Sequence, residues 1–280
     1  MNAEDRIKET IDSILSQRGV DLEFIIINDG STDDTEKIIR NYADEDVRIR
    51  ILSRENKGLT ISLIEGCQIA KGEFIARQDA NDVSLPGRLR AQLDILIENQ
   101  DVTFCSTYVR HVTKEGIEAL ITADEGIIHG SVMMRKSAYQ QAGGYRKQFY
   151  YAQDIDLWSR LLEYGKHVAI PIVYYEGLLF SNSISGTRNK EQKKFLNIIK
   201  EASKARRKEL DESEYLARAD MLSKECRNGK VRPSAHANGA YFIGSCLIDH
   251  NPTLAKRYFQ EAIKLNRSHL RSRLRLAKLR

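Results

Sequence analysis

The sequence has no apolar run approaching the roughly 20 residues that a membrane-spanning helix needs. Its N-terminus carries no basic segment followed by an apolar one, so no signal peptide is visible. Cysteine is sparse. Cys67, Cys105, Cys226 and Cys246 are scattered and none forms a CxxC pair, which argues against a thiolate metal site and fits small buried side chains in a reducing compartment. The six histidines are dispersed and form no zinc-type cluster. Four Pro and 17 Gly give no sign of broad disorder. Few aromatic residues interleave the basic ones, and no recognised nucleic-acid fold is present, so no nucleic-acid partner is expected. From these absences the protein is expected to be soluble and cytoplasmic.

The 280 residues are 41% hydrophobic, enough for one large domain with an appendage or for two small domains. The net charge of +5 conceals a division. Residues 1–185 hold 21 Lys+Arg against 29 Asp+Glu, whereas residues 186–280 hold 23 against 10. An acidic first part and a basic tail point to two units with different partners.

Hydrophobic periodicity supports the same boundary. Ile7, Ile11, Ile14 and Leu15 sit at helical spacing, with Asn2 as candidate cap. Residues 22–27 read as a buried parallel strand. A helix over 33–42, a strand over 47–52, a helix over 59–70, a strand over 73–77 and a helix over 85–98 follow. This alternation predicts a parallel sheet with helices on both faces. Beyond residue 100 the pattern changes to strands over 102–112 and 127–134, joined through a hairpin-like segment near Lys114-Glu115-Gly116. Short helices are expected over 135–142 and 154–164, and one or two strands over 168–175, divided by Pro171. After residue 188 every element is helical, with spans 188–210, 212–226, 234–249, 252–265 and 267–279. The run from Asn251 to Asn266 looks like the second helix of a tetratricopeptide-type pair, although stable arrays need about three or more repeats. A plain helical appendage is the simpler reading.

Three acidic clusters carry the chemistry. Asn28-Asp29-Gly30-Ser31-Thr32-Asp33-Asp34 and Asp79-Ala80-Asn81-Asp82 each follow a strand, and Gln153-Asp154-Ile155-Asp156-Leu157-Trp158 opens a helix. Ligands of open α/β sheets bind beyond the carboxyl ends of strands, so the first two clusters should meet at one edge and the third could join them. In the first, Gly30 permits a tight turn, Ser31 or Thr32 can cap the next helix, and Asp29 can accept from a nucleobase or ribose. Capping alone would also account for the cluster. The second suits a hard divalent cation with oxygen ligands that bridges diphosphate oxygens, or a plain Asx-type turn before Pro86. In the third, Asp154 and Asp156 point to different faces. One can act as a general base in a cleft while the other stabilises the helix start.

The order and wording of these segments resemble the family 2 glycosyltransferases over roughly residues 2–185. The matching segments are 13–17, 27–35, Glu55-Asn56-Lys57-Gly58, 70–82, Leu85-Pro86, Arg88-Leu89, Gly143-Gly144-Tyr145 and 153–158. The resemblance implies a GT-A-type fold, a mixed and mainly parallel sheet flanked by helices, in a catalytic domain over 1–185 followed by a basic helical region over 186–280. It implies a donor site of Asp29, Asn56, Asp79 and Ala80, a Mn2+ or Mg2+ site at Asn81 and Asp82, and Asp154 as catalytic base. The implied reaction is inverting transfer of a sugar from a nucleotide donor, UDP-linked by preference, to a glycan or lipid-linked acceptor in cell-surface polysaccharide synthesis.

The chain departs from the family pattern at four places. Met1 stands where relatives have the Tyr that ends a central strand, so that strand is expected to be missing. Asn81 replaces an Asp, with Asp82 as candidate compensation. Gln153 replaces a Glu, and Ile64 replaces an Asn. A rival reading is a non-catalytic glycosyltransferase-like protein whose tail binds a partner or membrane. A nucleotidyltransferase is disfavoured because no Gly-rich phosphate loop follows the first strand. Arg267, Arg271, Arg273, Arg275, Lys278 and Arg280 crowd the last helix around Leu270, Leu274 and Ala277. That pattern suits contact with an anionic membrane surface at its inner face, or a solvated helix packed on its neighbour.

Overall fold

The computed structural model describes residues 2–113, 118–121, 126–228 and 233–279. The expected hairpin segment at 114–116 and Arg280 lie outside them. The β-branched run of the first strand, β1 (Phe24–Asp29), pairs in parallel with β2 (Ile49–Arg54), Ile26 opposite Ile51. α1 (Ile7–Leu15) and α2 (Thr35–Glu45) cover one face. Ile7, Ile11, Ile39 and Ile49 are buried there, with Phe24 and Ile26 packed against them. α3 (Leu59–Ile69) lies against the other face, bringing Gly66 close to Ile27.

The alternation of elements predicts that the third strand should extend this sheet, and it does not. β3 (Phe74–Ala76) pairs antiparallel with β7 (Met133–Arg135) in a second, six-stranded sheet. That sheet runs β3, β7, β5 (Val102–Val112), β8 (Lys166–Leu178), β4 (Val83–Ser84), with β6 (Glu118–Ile121) on β5. Among the described residues no strand lies between β1 and β3, so the two sheets stay separate. Phe24 to Ile27 remain half-buried and line the intervening cleft.

β5 (Val102–Val112) matches its predicted span and forms the centre of the second sheet. Its side chains alternate between faces. Phe104 packs with Leu63, Met134, Leu157 and Trp158 beneath α3 and α6 (Gln153–Leu161). Cys105 packs with Leu89 and Leu96 of α4 (Arg88–Glu98) on the opposite face. β8 (Lys166–Leu178) is one strand rather than two. Its register against β5 shifts between Ile170 and Val173, and this irregularity accommodates Pro171, which has no N–H to give the ladder. β4 (Val83–Ser84), unforeseen because it reads as a turn, pairs with the end of β8. α5 (Lys136–Gln141) follows β7.

The tail is helical as expected: α7 (Ile184–Thr187), α8 (Asn189–Arg206), α9 (Ser213–Asn228), α10 (Pro233–Leu247), α11 (Pro252–Leu265) and α12 (Leu270–Lys278). Asn251 caps α11, its side chain accepting from Leu254 N at 2.9 Å, with Pro252 at the first helical position. α10 and α11 share a core of Ile243, Leu247, Leu254, Ala255 and Phe259 with Leu179, and Leu276 of α12 packs against it. α8 and α9 likewise share a core with the earlier part of the chain, where Phe195, Ile198, Ile199, Ala219 and Leu222 enclose Phe149, Tyr151 and Ala152.

Candidate functional site

The divided sheet leaves a cleft of about 2000 Å³. Its walls include Asp29, Asn56, Gly58, Arg77, Asp79, Ala80, Asn81 and Tyr150. Five of the seven residues expected to form the site, Asp29, Asn56, Asp79, Ala80 and Asn81, therefore share one cavity. Asp82 and Asp154 are not among the residues that line it.

Asp29 is buried at the tip of β1. Its Oδ1 accepts from Lys57 N at 2.9 Å and its Oδ2 from Gly58 N at 2.8 Å. Arg54 also pairs with it, and Arg54 Nε is held by Glu65 at 2.6 Å. Asn56 Nδ2 donates to the Asp29 carbonyl at 3.1 Å. The carboxylate thus shapes the 54–58 loop, and a nucleobase would add to these partners rather than find a free group. Gly30 has φ 76°, and a Cβ there would lie 2.8 Å from Asn56 N, so only glycine allows this approach. Ser31 and Thr32 do not cap α2. Their hydroxyls take Asn2 as partner, and Asp33 Oδ1 accepts from Thr35 N at 3.1 Å instead. Asn2 is consequently not the cap of α1, whose N-cap residue is Arg6.

The 77–82 turn is built around a buried arginine. Arg88 donates to Gln78 Oε1 at 3.0 Å, to the Arg77 carbonyl at 2.7 Å and to the Gly130 carbonyl at 2.8 Å. It also lies 4.8 Å over the Tyr175 ring. Burial pulls its guanidinium down to about 10. Asp79 is paired with Arg77, and its N–H donates to Tyr175 Oη at 3.1 Å. Asp82 accepts from Tyr175 Oη at 2.9 Å and from Leu178 N at 2.9 Å. Burial, followed by the charge of Asp79, pushes Asp82 up to about 7. Gly130 must lack a side chain, because a Cβ would occupy the place of the Tyr175 hydroxyl and lie 2.9 Å from Asp79 Oδ2.

Asn81 has φ 75°, and its Oδ1 is buried without a hydrogen-bond partner among the described residues. Such an oxygen is costly and is the donor type a hard divalent cation takes. Among the described residues no three His, Cys, Asp or Glu side chains group as a metal site. A cation here would therefore rest on Asn81 together with its acidic neighbours.

Asp154 opens α6, with Oδ1 accepting from Ile155 N at 2.9 Å. Asp156 faces away from it, fully buried against Arg160 at 2.6 Å. This difference of face follows the expected helical geometry. Between the acidic groups sits His129, in a short 3-10 turn over His129–Ser131. It bonds Tyr145 Oη at 2.7 Å and meets the Trp158 ring edge-on at 5.7 Å. Burial lowers its pKa while the charges of Asp154 and Asp79 oppose that shift. His129, Tyr175 and Tyr150 escaped the sequence reading, since one His or Tyr in an apolar run carries no local signal.

The model of the family described as "Glycosyl transferase family 2" matches residues 1–155. The chain belongs to glycosyl transferase family 2. Among relatives of this family-2 chain, "Putative glycosyltransferase EpsE" of Bacillus subtilis is 35% identical over 179 residues, covering 59% of this chain and 64% of the relative. An uncharacterized glycosyltransferase of Haemophilus influenzae is 30% identical over 225 residues, covering 71% and 69%. The chain spans 64% of the first of these and 21% of the chondroitin synthase of Pasteurella multocida, to which it is 29% identical over 69% of its own length.

Solved structures agree on the GT-A-type fold. TarS 1–349 of S. aureus in complex with UDP-GlcNAc superposes with a TM-score of 0.59 at 14% identity, covering 99% of this chain and 86% of that one. The mannosyltransferase PcManGT of Pyrobaculum calidifontis, in complex with GDP-Man and Mn2+, gives 0.58 at 15%, covering 99% and 84%.

Proposed function

We propose that this family 2 chain is an inverting glycosyltransferase that moves a sugar from a nucleotide-diphosphate donor, UDP-linked by preference, to a glycan or lipid-linked acceptor in polysaccharide synthesis. The observation that carries this reading is the meeting of the Asp29–Gly58 loop and the Asp79–Asn81 turn on one cleft, with an orphaned oxygen at Asn81. The nucleoside would lie against Asp29 and Asn56, and the diphosphate against Asp79 and Ala80. Tyr150, on the cleft wall beside Gly58, supplies an aromatic face.

A divalent cation, Mn2+ or Mg2+, would be held by Asn81 Oδ1 and the remaining lone pairs of Asp82. Bound there, it would neutralise charge on the departing diphosphate. Asp154 takes the proton of the acceptor hydroxyl as that oxygen attacks the anomeric carbon. Arg88 and Gly130 keep the 77–82 turn within reach of the cleft.

Support for a nucleotide-sugar donor comes from the ligands of the superposed structures. Titration with UDP by calorimetry, with and without Mn2+, followed by a screen of UDP- and GDP-sugars for transfer, tests the reading. Binding that needs the metal supports it, and absence of any nucleotide binding overturns it. The second reading, a non-catalytic glycosyltransferase-like protein, draws on the divided sheet and is favoured if nucleotide binds without turnover.

We further propose that residues 1–185 form the catalytic unit and that the tail after 186 touches an anionic membrane surface. Among the described residues no helix is long and apolar enough to cross a membrane. On α12, Leu270 and Leu274 are 65% and 57% exposed beside Arg271 and Arg273, a pairing of apolar and basic groups that suits an anionic interface. Salt-sensitive sedimentation with phosphatidylglycerol vesicles, lost in Leu270→Gln with Leu274→Gln, is the expected result. Equal recovery with and without vesicles would refute it.

A further inference from the structure

We propose that α8 and α9 are a clamp that positions Asp154, with Ser223 and Glu212 as its positioning residues. The inference rests on the catalytic reading of Asp154. Two residues before that carboxylate, Ala152 adopts φ 59° and ψ 27°, a left-handed conformation that L-alanine resists. Such a conformation persists only where the surroundings over-determine it. The surroundings here come from the tail. Phe149, Tyr151 and Ala152 are buried against Phe195, Ile198 and Ile199 of α8 and Ala219, Leu222 and Cys226 of α9.

Polar contacts fix the same turn. The Ser223 hydroxyl is buried, donating to the Gln148 carbonyl at 2.6 Å and accepting from Tyr150 N at 3.0 Å. It spans the turn and satisfies one main-chain group on each side. From the opposite side, Thr60 Oγ1 donates to the Phe149 carbonyl at 2.9 Å, and the Tyr150 ring lies against Gly58. The turn is thus held between the tail and the donor-side loop.

A chain of ion pairs holds α6 itself. Glu212 accepts from Arg146 at 2.6 and 3.0 Å and from Arg206 at 2.6 Å. Arg206 reaches Glu163 at 2.9 Å and Ser159 Oγ at 3.0 Å, so it grips the last turn of the α6 region. Arg146 approaches the buried Asp156 at 3.8 Å. Burial alone would raise Glu212, yet the bonds from Arg146 and Arg206 overcome it and keep its carboxyl low. The tail therefore contacts the base-bearing helix at its start and its end, and the catalytic geometry is incomplete without it.

The test uses the full chain with Ser223→Ala and, separately, Glu212→Gln. Hydrogen exchange of the 148–158 segment, the UDP dissociation constant, and kcat and KM for transfer are read together. The expected result is exchange several-fold faster in 148–158 but unchanged in β1 and β2 and kcat lowered by about tenfold or more in both variants, since small misplacements of a catalytic group are costly, with UDP affinity held within about twofold in Glu212→Gln, which does not touch Tyr150. A purely structural role would lower UDP affinity and kcat together in Glu212→Gln, and that outcome overturns the proposal. Unchanged exchange in both variants also overturns it, as does faster exchange with unchanged kcat. If Ser223→Ala does not fold, Glu212→Gln, at the edge of the shared core, decides the matter. A wild-type chain without transferase activity would sink the catalytic reading, whereas the exchange data would still show whether the clamp exists.

Discussion

Asp29 and Asp154 sit at the two ends of the proposed reaction, and their supports differ in kind. Asp29 takes its hydrogen bonds from Lys57 and Gly58, 28 and 29 residues further on and carried by the neighbouring parallel strand. The turn before Asp154 takes its bond from Ser223, 73 residues beyond Tyr150 and in a different helical region. The Asp29 end of the donor side is a local product of β1, β2 and the loop between β2 and α3. The base side is assembled from distant parts of the chain. The lesson is that nucleotide binding and turnover can be separated by mutation, because different segments maintain them.

The largest effect should come from Asp154→Asn, which keeps shape and removes the base. Transfer is expected to fall by about a hundredfold to ten-thousandfold, while UDP affinity in calorimetry stays unchanged. A similar loss of UDP affinity would merge the two sides that the structure separates. Next comes Asp29→Ala. It strips the acceptors from Lys57 N and Gly58 N and removes one of the two carboxylates that pair with Arg54, at an expected cost of about 1–3 kcal/mol in urea unfolding together with weaker UDP binding. Full UDP affinity in that variant would show that the 54–58 loop shapes itself.

Gly130→Ala strikes where the two sides touch, since a Cβ there collides with Tyr175 and crowds Asp79. Overpacking of this kind costs about 1–3 kcal/mol, and a wild-type midpoint in urea would show that the 129–131 turn yields easily. The smallest effect concerns pH. The Asp82 carboxyl is pushed up from 3.8 to about 7 on folding, so the folded state disfavours its charge. Its contribution is fully present below pH of about 4 and is lost as the pH rises through about 7. Asp82→Asn should therefore raise Tm relative to wild type more at pH of about 8 than at about 5, without added metal. An equal difference at both values would mean that Tyr175 and Leu178 stabilise the charged carboxylate after all.

Much of this molecule was legible in its residues. The β-branched runs and the spacing of Ile, Leu and Ala located most of the elements, and β5 matched residue for residue, as a run buried on both faces that is too long and too free of Gly and Pro to read as a turn. The strand tips bearing Asp29 and Asp79 were readable for the same reason: a carboxylate directly after an apolar run must emerge at a sheet edge. His129, Tyr175 and Arg88 were harder to assign. Their roles arise from contacts such as His129 with Tyr145, 16 residues apart, Arg88 with Gly130, 42 apart, and Tyr175 with Asp79, 96 apart, which leave no periodic trace.

By itself the sequence determined most of the helices and strands, where the acidic turns fall and where the basic tail begins, since periodicity, turn chemistry and charge are local properties, but not β4 or the 3-10 turn of His129–Ser131 inside the strand expected over 127–134. The tertiary structure alone decided that β3 leaves the first sheet, that Asp29 is occupied by its own loop, that Asn81 Oδ1 is buried with no hydrogen-bond partner among the described residues, and that the tail closes over the turn before Asp154. Each of those outcomes depends on which surfaces remain to be buried once the local elements have formed, and that competition is settled only when all of them pack together.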